Sequence, residues 1–561
     1  MGRFRSGSGF CNNAVDKNLY FKFEHNFLKC GHMKAKYKLF IIIMFIGITV
    51  GCDDFLERSS QNLIVPETVK HYKELLQGDG YFKDLYEKTK WVLFMTDDAE
   101  FQESYSRFSD YSFTSDNVTH YGDIYTWQSE IENDNFTDEA YLYLYKQVKL
   151  ANLCLEGAIN AEGENEDREI LLGQSYFTRA MAYFYLANLY GQAYNEAQPS
   201  DMCVPLVLEP DITIVSPSRA TISQIWGQMT SDIENAIKNL KDKSTGDYFT
   251  IGYDAVLALA TRIYLFMEDW DNAITYGEEL VGRKPELQDI TSETKATSST
   301  YGSTDKAVIN FFRADNPEII WNFNTAPTSN STGKTFYGLF AKYGVYTAGY
   351  WIATSSQSFY PGQKTLIEMY DTDETAKTGD RRLLYWFIPP VKKTSSSYAD
   401  SYNTYKTLKY DPQYDKQNML MQCFRTGEVY ISLAEAYARR NAAGDNVKAI
   451  VYLNSLREKR INPYTALSLG DFVSNDALVQ FCWDERRREL CFEECHRWWD
   501  MRRQGQKQVT HRYNYGGTSG DAFVTFTLQE KDPAFILNFP IVERNQSPNL
   551  VPNSRPTRNE N

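Results

Sequence analysis

Histidine, paired cysteine and long apolar runs are all scarce in this chain of 561 residues. The six histidines are His25, His32, His71, His120, His496 and His511, and none falls in an HExxH pattern, which closes the usual route to a zinc hydrolase. Nine cysteines supply no CxxC pair, so neither a thioredoxin-type dithiol nor a zinc ribbon is available. GxSxG, the P-loop and a GxGxxG opening a helix after a strand are missing too. No apolar run approaches the roughly 20 residues that a membrane-spanning helix needs. A basic excess is also absent. The formal charge is −14, and it becomes −20 once residues 1–51, with eight Lys/Arg and two Asp/Glu, are set aside. Binding nucleic acid requires cations that displace counterions from phosphates, and this balance argues against such a partner.

One shorter apolar run is informative because of what flanks it. Lys34, Lys36 and Lys38 precede an unbroken apolar stretch from Leu39 to Val50, and Thr49-Val50-Gly51-Cys52 closes it. Cationic start, short apolar centre and small residues before a cysteine are the parts of a lipoprotein signal. The sequence therefore predicts a signal peptide over 33–51, a diacylglycerol on Cys52, and a polar tether over 52–66. Residues 1–32 carry Arg3, Arg5, Lys17, Lys22 and Lys29 without an apolar centre, and are expected to be a mis-assigned leader upstream of a true start at Met33.

From 67 to 285 the pattern is helical. Ile170 to Tyr190 is apolar all round and ends at Gly191, which predicts a buried helix. Ser218 to Leu240 carries Ile222, Ile225, Trp226, Met229, Ile233, Ala236, Ile237 and Leu240 on one stripe, with Thr221 as N-cap. Asp254 to Leu280 has an aromatic late in a first helix (Tyr264), the turn Glu268-Asp269, Trp270, and Ala273 where the second helix must cross closely. That is the logic of a tetratricopeptide unit. Arg425 to Arg460 repeats it with Tyr437, a turn over Asn441 to Asn446, and Ala449. Between the two lies a region of different character, residues 286–424, rich in Ser, Thr, Gly, Asn and Tyr, with short strand-like pieces at Ile319 to Phe323 and Tyr385 to Ile388. Long loops on a rigid scaffold are where binding residues concentrate. Residues 425–561 complete the chain.

Several segments together resemble the SusD/RagB family of outer-membrane nutrient-binding lipoproteins. They are Cys52-Asp53-Asp54-Phe55-Leu56-Glu57, the helix Arg179 to Gly191, the unit Arg262 to Ala273, Glu428 to Ala438, the ending Phe539 to Val542 with Pro548-Asn549-Leu550, and most specifically the block Glu485 to Arg503. Cys491 and Cys495 stand where the family usually has Ala and Gly. The resemblance implies a mainly all-α fold of about four tetratricopeptide-type helix pairs carrying a long irregular, loop-rich ligand-binding insertion. It implies a cell-surface lipoprotein that captures oligo- or polysaccharide and delivers it to a SusC-like TonB-dependent outer-membrane transporter, with no cofactor. Glu485 to Arg503 is expected to be structural: its Arg and Glu at i, i+3 and i+4 can pair while Leu490, Phe492, Trp498 and Trp499 pack inward.

The residues themselves suit binding better than catalysis. A pyranose presents a C–H face that stacks on an aromatic ring, and Tyr and Trp combine such a ring with a polar tip. The chain has 40 Tyr and 10 Trp. Trp226, Trp270, Trp483, Trp498 and Trp499 sit at helical spacings and are expected in the core. Phe101 and Tyr105, after Asp98, and Tyr343, Tyr346, Tyr350, Trp351, Phe359 and Tyr360, in the insertion, are the candidate glycan-stacking residues. Three readings compete with glycan capture: a binder of peptide or another nutrient, a lipid-anchored glycosidase, and a pure helix-repeat scaffold with no small ligand. Glycoside hydrolysis needs two carboxylates at a set separation; Asp97-Asp98 is the pair to nominate, although its expected part is capping the turn after Trp91 to Met95. No metal is expected, since Cys491, Cys495 and His496 share a helical face without a second pair of ligands.

Overall fold

Helix α1 (Ala140–Asn160) turns back through residues 161–164 into α2 (Asn165–Tyr190), whose central and C-terminal turns meet protein on every side. The structure is a computed structural model, and it describes residues 66–101, 121–210, 218–292, 311–312, 315–325, 350–352, 365–373, 378–388, 406–407, 420–513 and 524–560. The predicted signal peptide, Cys52 and nearly all of the tether therefore lie outside the described residues. Among the described residues, no helix is long and apolar enough to cross a membrane.

Capping and turn chemistry set the helix boundaries where the sequence signals them. Helix α3 (Ile222–Leu240) opens on a capping box: Thr221 Oγ1 accepts from Gln224 N at 3.2 Å and Gln224 Oε1 accepts from Thr221 N at 2.9 Å. Helices α4 (Tyr253–Phe266) and α5 (Trp270–Arg283) are joined by Glu268, at φ 58°, and Asp269, whose carboxylate accepts from Asn272 N. Helix α6 (Thr426–Arg440) ends on left-handed Asn441, and α7 (Asp445–Glu458) follows at once. These helices pack in chain order, each on the next, and α5 meets α6 directly although the insertion separates them in sequence. That contact is close: a Cβ on Gly277 would fall 2.7 Å from Leu433 Cδ2, so a larger residue there would force the Leu433 side chain to shift. Helices α8 (Asn475–Leu490) and α9 (His496–Arg503) complete the scaffold, α8 against α6.

Strands are short and peripheral to this scaffold. Those that hold the insertion and the segment after Asp98 to it are β1 (Ala99–Phe101), β2 (Ile319–Thr325), β3 (Tyr350–Ile352), β4 (Leu420–Arg425), β5 (Val509–Tyr513) and β6 (Val524–Leu528). Antiparallel pairing of β2 with β4 means that the chain leaves for residues 326–419 and returns at one place. Trp321 and Phe424 seat that ribbon on α2 through Phe177, with Trp321 edge-on to Phe177 at 5.0 Å. Ile319 to Phe323 is thus a strand as expected. Tyr385 to Ile388 is only half so: Tyr385 and Trp386 finish a helix, Arg381–Trp386, which Asp380 starts by accepting from Arg382 N, and extended backbone begins at Phe387.

Two of the five tryptophans expected in the core are not fully there. Trp226, Trp498 and Trp499 are buried, but Trp270 and Trp483 are half-buried and stand 5.0 and 5.8 Å from the guanidinium carbon of Arg439. A stacked arginine closes over part of an indole and leaves its rim in solvent.

The block Glu485 to Arg503 is structural in a different way from its spacing. Local pairs exist, Arg488 to Glu485 at 2.6 Å and Arg503 to Asp500 at 2.8 Å. The larger part of the pairing is long-range and buried. Glu489 receives Arg382 at 2.9 Å, Arg425 at 2.8 Å and Arg460 at 2.9 Å, while Arg425 also holds Glu318 and Glu493, and Arg382 also holds Asp380 and Glu485. The guanidiniums around Glu489 outweigh the effect of its burial and hold the carboxyl well below the usual range. Buried charges are tolerated only when so fully paired. The network ties the insertion (Glu318, Asp380, Arg382) to β4, to the end of α7 and to α8, so the loops are fixed to the scaffold by charge as well as by apolar contact.

Candidate functional site

Two of the aromatic groups nominated from sequence, far apart along the chain, come together. Strand β1 pairs antiparallel with β3, with Phe101 opposite Tyr350, Glu100 opposite Trp351 and Ala99 opposite Ile352. Phe101, Tyr350 and Trp351 thereby occupy one two-stranded ribbon. Tyr105, Tyr343, Tyr346, Phe359 and Tyr360 lie outside the described residues.

The chain leading into β1 is held from three directions. Trp127, in a left-handed conformation at φ 53°, donates from Nε1 to Met95 O at 2.9 Å. His511, on β5, lies stacked between Tyr125 and Trp127 at 4.1 Å from each, with Nε2 3.1 Å from Thr96 O and Nδ1 2.9 Å from Tyr125 O. Burial pushes this imidazole down to about 4, against the pull of the two carbonyls and of Asp97. A neutral ring donates to only one of the two carbonyls. Next come the two aspartates. Arg497 of α9 grips both oxygens of Asp97 at 2.6 Å, and Arg487 of α8 meets Asp98 Oδ1 at 2.9 and 2.5 Å. Burial alone would raise the Asp97 carboxyl, but Arg487 and Arg497 outweigh it and bring it to about 2. For Asp98 the balance goes the other way: burial, with the charge of Asp97 beside it, outweighs Arg487, and the carboxyl is raised.

Neither aspartate caps the turn after Met95 in the way its position suggests. Both side chains are buried and each faces a guanidinium, so they join β1 to the helical block and present no open face to a sugar. A local sequence signal for this existed in Arg487, Arg488 and Arg497, whose charges needed partners once the helix was buried. Nothing local marks His511 or Trp127, because their roles depend on contacts across the fold.

Among the described residues, one group has the composition of a cation site. Glu428, Glu494 and His496 bring one ligand atom each to within 4.8 Å of one another. Arg262 already fills the place a cation would take, reaching Glu428 at 2.7 Å and Glu494 at 2.8 Å, with Nη2 3.5 Å from His496 Nε2. Burial, reinforced by Arg262 and Arg486, lowers His496 to about 3 against the attraction of Glu428, so it sits neutral in an already balanced cluster.

Comparison with known proteins agrees with this architecture. The family model described as starch-binding associating with outer membrane matches residues 54–265, and the SusD family model matches residues 317–553. No curated protein matches the chain. Among solved structures, a protein of Bacteroides vulgatus ATCC 8482 with the provisional description of sugar binding protein is 21% identical, covers 88% of this chain and 99% of its own, and superposes with a TM-score of 0.62. A SusD superfamily protein of Bacteroides thetaiotaomicron is 17% identical over 87% of this chain and 100% of its own, with a TM-score of 0.58. A SusD-like carbohydrate binding protein of Bacteroides vulgatus ATCC 8482 is 19% identical over 86% and 97%, with a TM-score of 0.57.

Proposed function

This chain belongs to the SusD family, and from that premise we propose that it is a lipid-anchored outer-membrane protein that binds glycan at the β1–β3 ribbon and passes it to a SusC-like TonB-dependent transporter. The observation that carries the reading is the strand pairing that puts Phe101 opposite Tyr350 and Glu100 opposite Trp351. Aromatic rings on a short ribbon supply stacking surface for sugar C–H faces at low entropic cost, because two side-chain torsions fix each ring. Charge supports a neutral ligand as well, since a net −14 repels polyanions at long range and leaves neutral polysaccharide unaffected. Rigid anchoring of Met95 to Asp98 preorganises the ribbon, so little ordering free energy is lost on binding.

The test is titration of the purified protein against a panel of neutral polysaccharides, with peptides in parallel, by calorimetry and affinity electrophoresis. Binding of at least one polysaccharide, with chain length and reducing ends unchanged afterwards, is the expected result. Binding of peptides alone would overturn the glycan reading, and release of reducing ends would overturn the non-catalytic one. Delivery is tested by tagging the protein in its own outer membrane, where a TonB-dependent barrel should co-purify with it.

A further inference from the structure

The strand register gives the two faces of the β1–β3 ribbon different chemistry. Residues opposite each other in an antiparallel pair share a face, and successive residues alternate between faces. Ala99, Phe101, Tyr350 and Ile352 therefore lie on one face, and Glu100 and Trp351 on the other. Ala99 is wholly buried, and β1 lies against β5. The face that Ala99 shares is thus turned toward the scaffold, and all four of its residues are apolar or aromatic, as a packed face requires. A carboxylate on that face would lose its hydration without compensation; the register puts the charge on the other. Asp97 and Asp98, in the turn that precedes β1, are outside this alternation and are held by Arg497 and Arg487.

Directly opposite residues have their β-carbons about 4.5–5.5 Å apart, so one sugar ring can meet both Trp351 and Glu100. A ring seated on an indole by its C–H face keeps its hydroxyls around the rim. A carboxylate accepts two such hydroxyls and donates to none, and hydrogen bonds to an ionised acceptor are about twice as strong as neutral ones. The same charge repels a second carboxylate brought to that place. Resting on the reading of the ribbon as the glycan site, we propose that Glu100 sets its specificity. It accepts paired hydroxyls of the sugar stacked on Trp351 and rejects a sugar that carries a carboxylate there. The ribbon then selects neutral glycan by a local contact as well as by net charge.

The experiment is calorimetric titration of the purified protein with soluble starch, galactomannan and mixed-linkage β-glucan, and with each polymer after oxidation of its primary hydroxyls to carboxylates. Parent, Glu100→Gln and Trp351→Ala proteins are compared, circular dichroism confirming that each is folded. The parent should bind at least one neutral polymer, and bind its oxidised form about tenfold more weakly at low salt, where like-charge repulsion is least screened. Glu100→Gln keeps the shape of the side chain and removes its charge. It should lose roughly fivefold or more in affinity for the neutral polymer and narrow the gap between the neutral and oxidised forms. Trp351→Ala should weaken the neutral polymer by removing the stacking face. Unaltered neutral affinity in Glu100→Gln, an unaltered gap between the two forms, or equal binding of both forms by the parent would each overturn the proposal. Any of these with Trp351→Ala still impaired would leave the ribbon reading standing. Normal neutral affinity in Trp351→Ala, or a parent that binds none of the neutral polymers, would remove that reading and the proposal together.

Discussion

Both oxygens of Asp97 are held by the guanidinium of Arg497 at 2.6 Å, joining the residue two places before β1 to the first turn of helix α9. Asp97 is buried and Arg497 partly so, and the geometry of the pair makes the ribbon depend on the C-terminal block. Replacing Arg497 with Met leaves the buried Asp97 carboxylate only Arg487, at 3.4 Å, and should destabilise the protein by ~1–3 kcal/mol, measured as a fall in urea midpoint. The Asp97 carboxyl, at about 2, lies below the unfolded value of about 3.9. Its contribution is therefore complete above that unfolded value and is lost as pH falls toward 2. An Asp97→Asn protein should lack that part of the acid sensitivity; identical acid unfolding of the two proteins would contradict the pairing.

Separate substitutions distinguish scaffold from binding face. Trp499 is fully buried among Phe184, Tyr185 and Phe266. Its replacement by Ala should destabilise by ~3–5 kcal/mol. Trp270 is half-buried under Arg439, so Trp270→Ala should destabilise by less, ~1–2 kcal/mol of lost packing and cation contact. Trp351→Ala should leave the melting temperature near the parent value and weaken polysaccharide binding about tenfold, the loss of ~1–2 kcal/mol expected for one stacked aromatic. Normal polysaccharide affinity in Trp351→Ala would remove the ribbon from the binding face.

Periodicity made the helical scaffold legible, because burial of one face is a local property repeated every three or four residues. The N-cap at Thr221, the turn at Glu268-Asp269 and the crossing at Ala273 all stand where the sequence signals them. Charge partners were not legible in the same way. Spacing in Glu485 to Arg503 suggested partners three and four residues apart, but Glu489 takes Arg382, Arg425 and Arg460 from three other segments. A sequence shows that a buried charge must be paired and does not show with what. Half-burial of Trp270 and Trp483 was hidden for a related reason, since the arginine that covers both comes from α6. Of the aromatic candidates, the pairing of Phe101 with Tyr350 depends on strand register between distant segments, which no local pattern encodes.

Anchoring is tested at Cys52. Conversion of Cys52 to Ala removes the thiol that would carry the lipid, and the protein should then move from the outer-membrane fraction to the soluble fraction or stay unprocessed. Protease treatment of intact cells expressing the parent protein should degrade it, as surface display requires. Unaltered membrane partition of the Cys52→Ala protein would overturn the lipid anchor.

Asp138 offers a pH response of opposite sign to that of Asp97. Its side chain is 2% exposed, accepts from Ala140 N at 2.9 Å and from Tyr190 Oη at 2.6 Å, and faces no cation within ion-pair distance among the described residues. Burial pushes the carboxyl up to about 7, and the two hydrogen bonds only partly oppose that. In the unfolded chain the same group ionises near 3.9. Between those two values the unfolded state releases a proton that the folded state keeps, so this group lowers stability progressively as pH rises from about 4 to 7 and not further above that. Wild-type protein should therefore be more stable at pH 5 than at pH 8 by a margin, on the order of 1–3 kcal/mol from this residue, that Asp138→Asn lacks. The amide can still accept from Ala140 N and can donate to the Tyr190 hydroxyl, so the variant keeps the packing while losing the titration. Asp98 is also raised and titrates in both proteins, so the difference between the two pH profiles isolates Asp138. Urea midpoints for both proteins at the two pH values provide the measurement, and parallel profiles would show that the carboxyl is not held protonated by its burial.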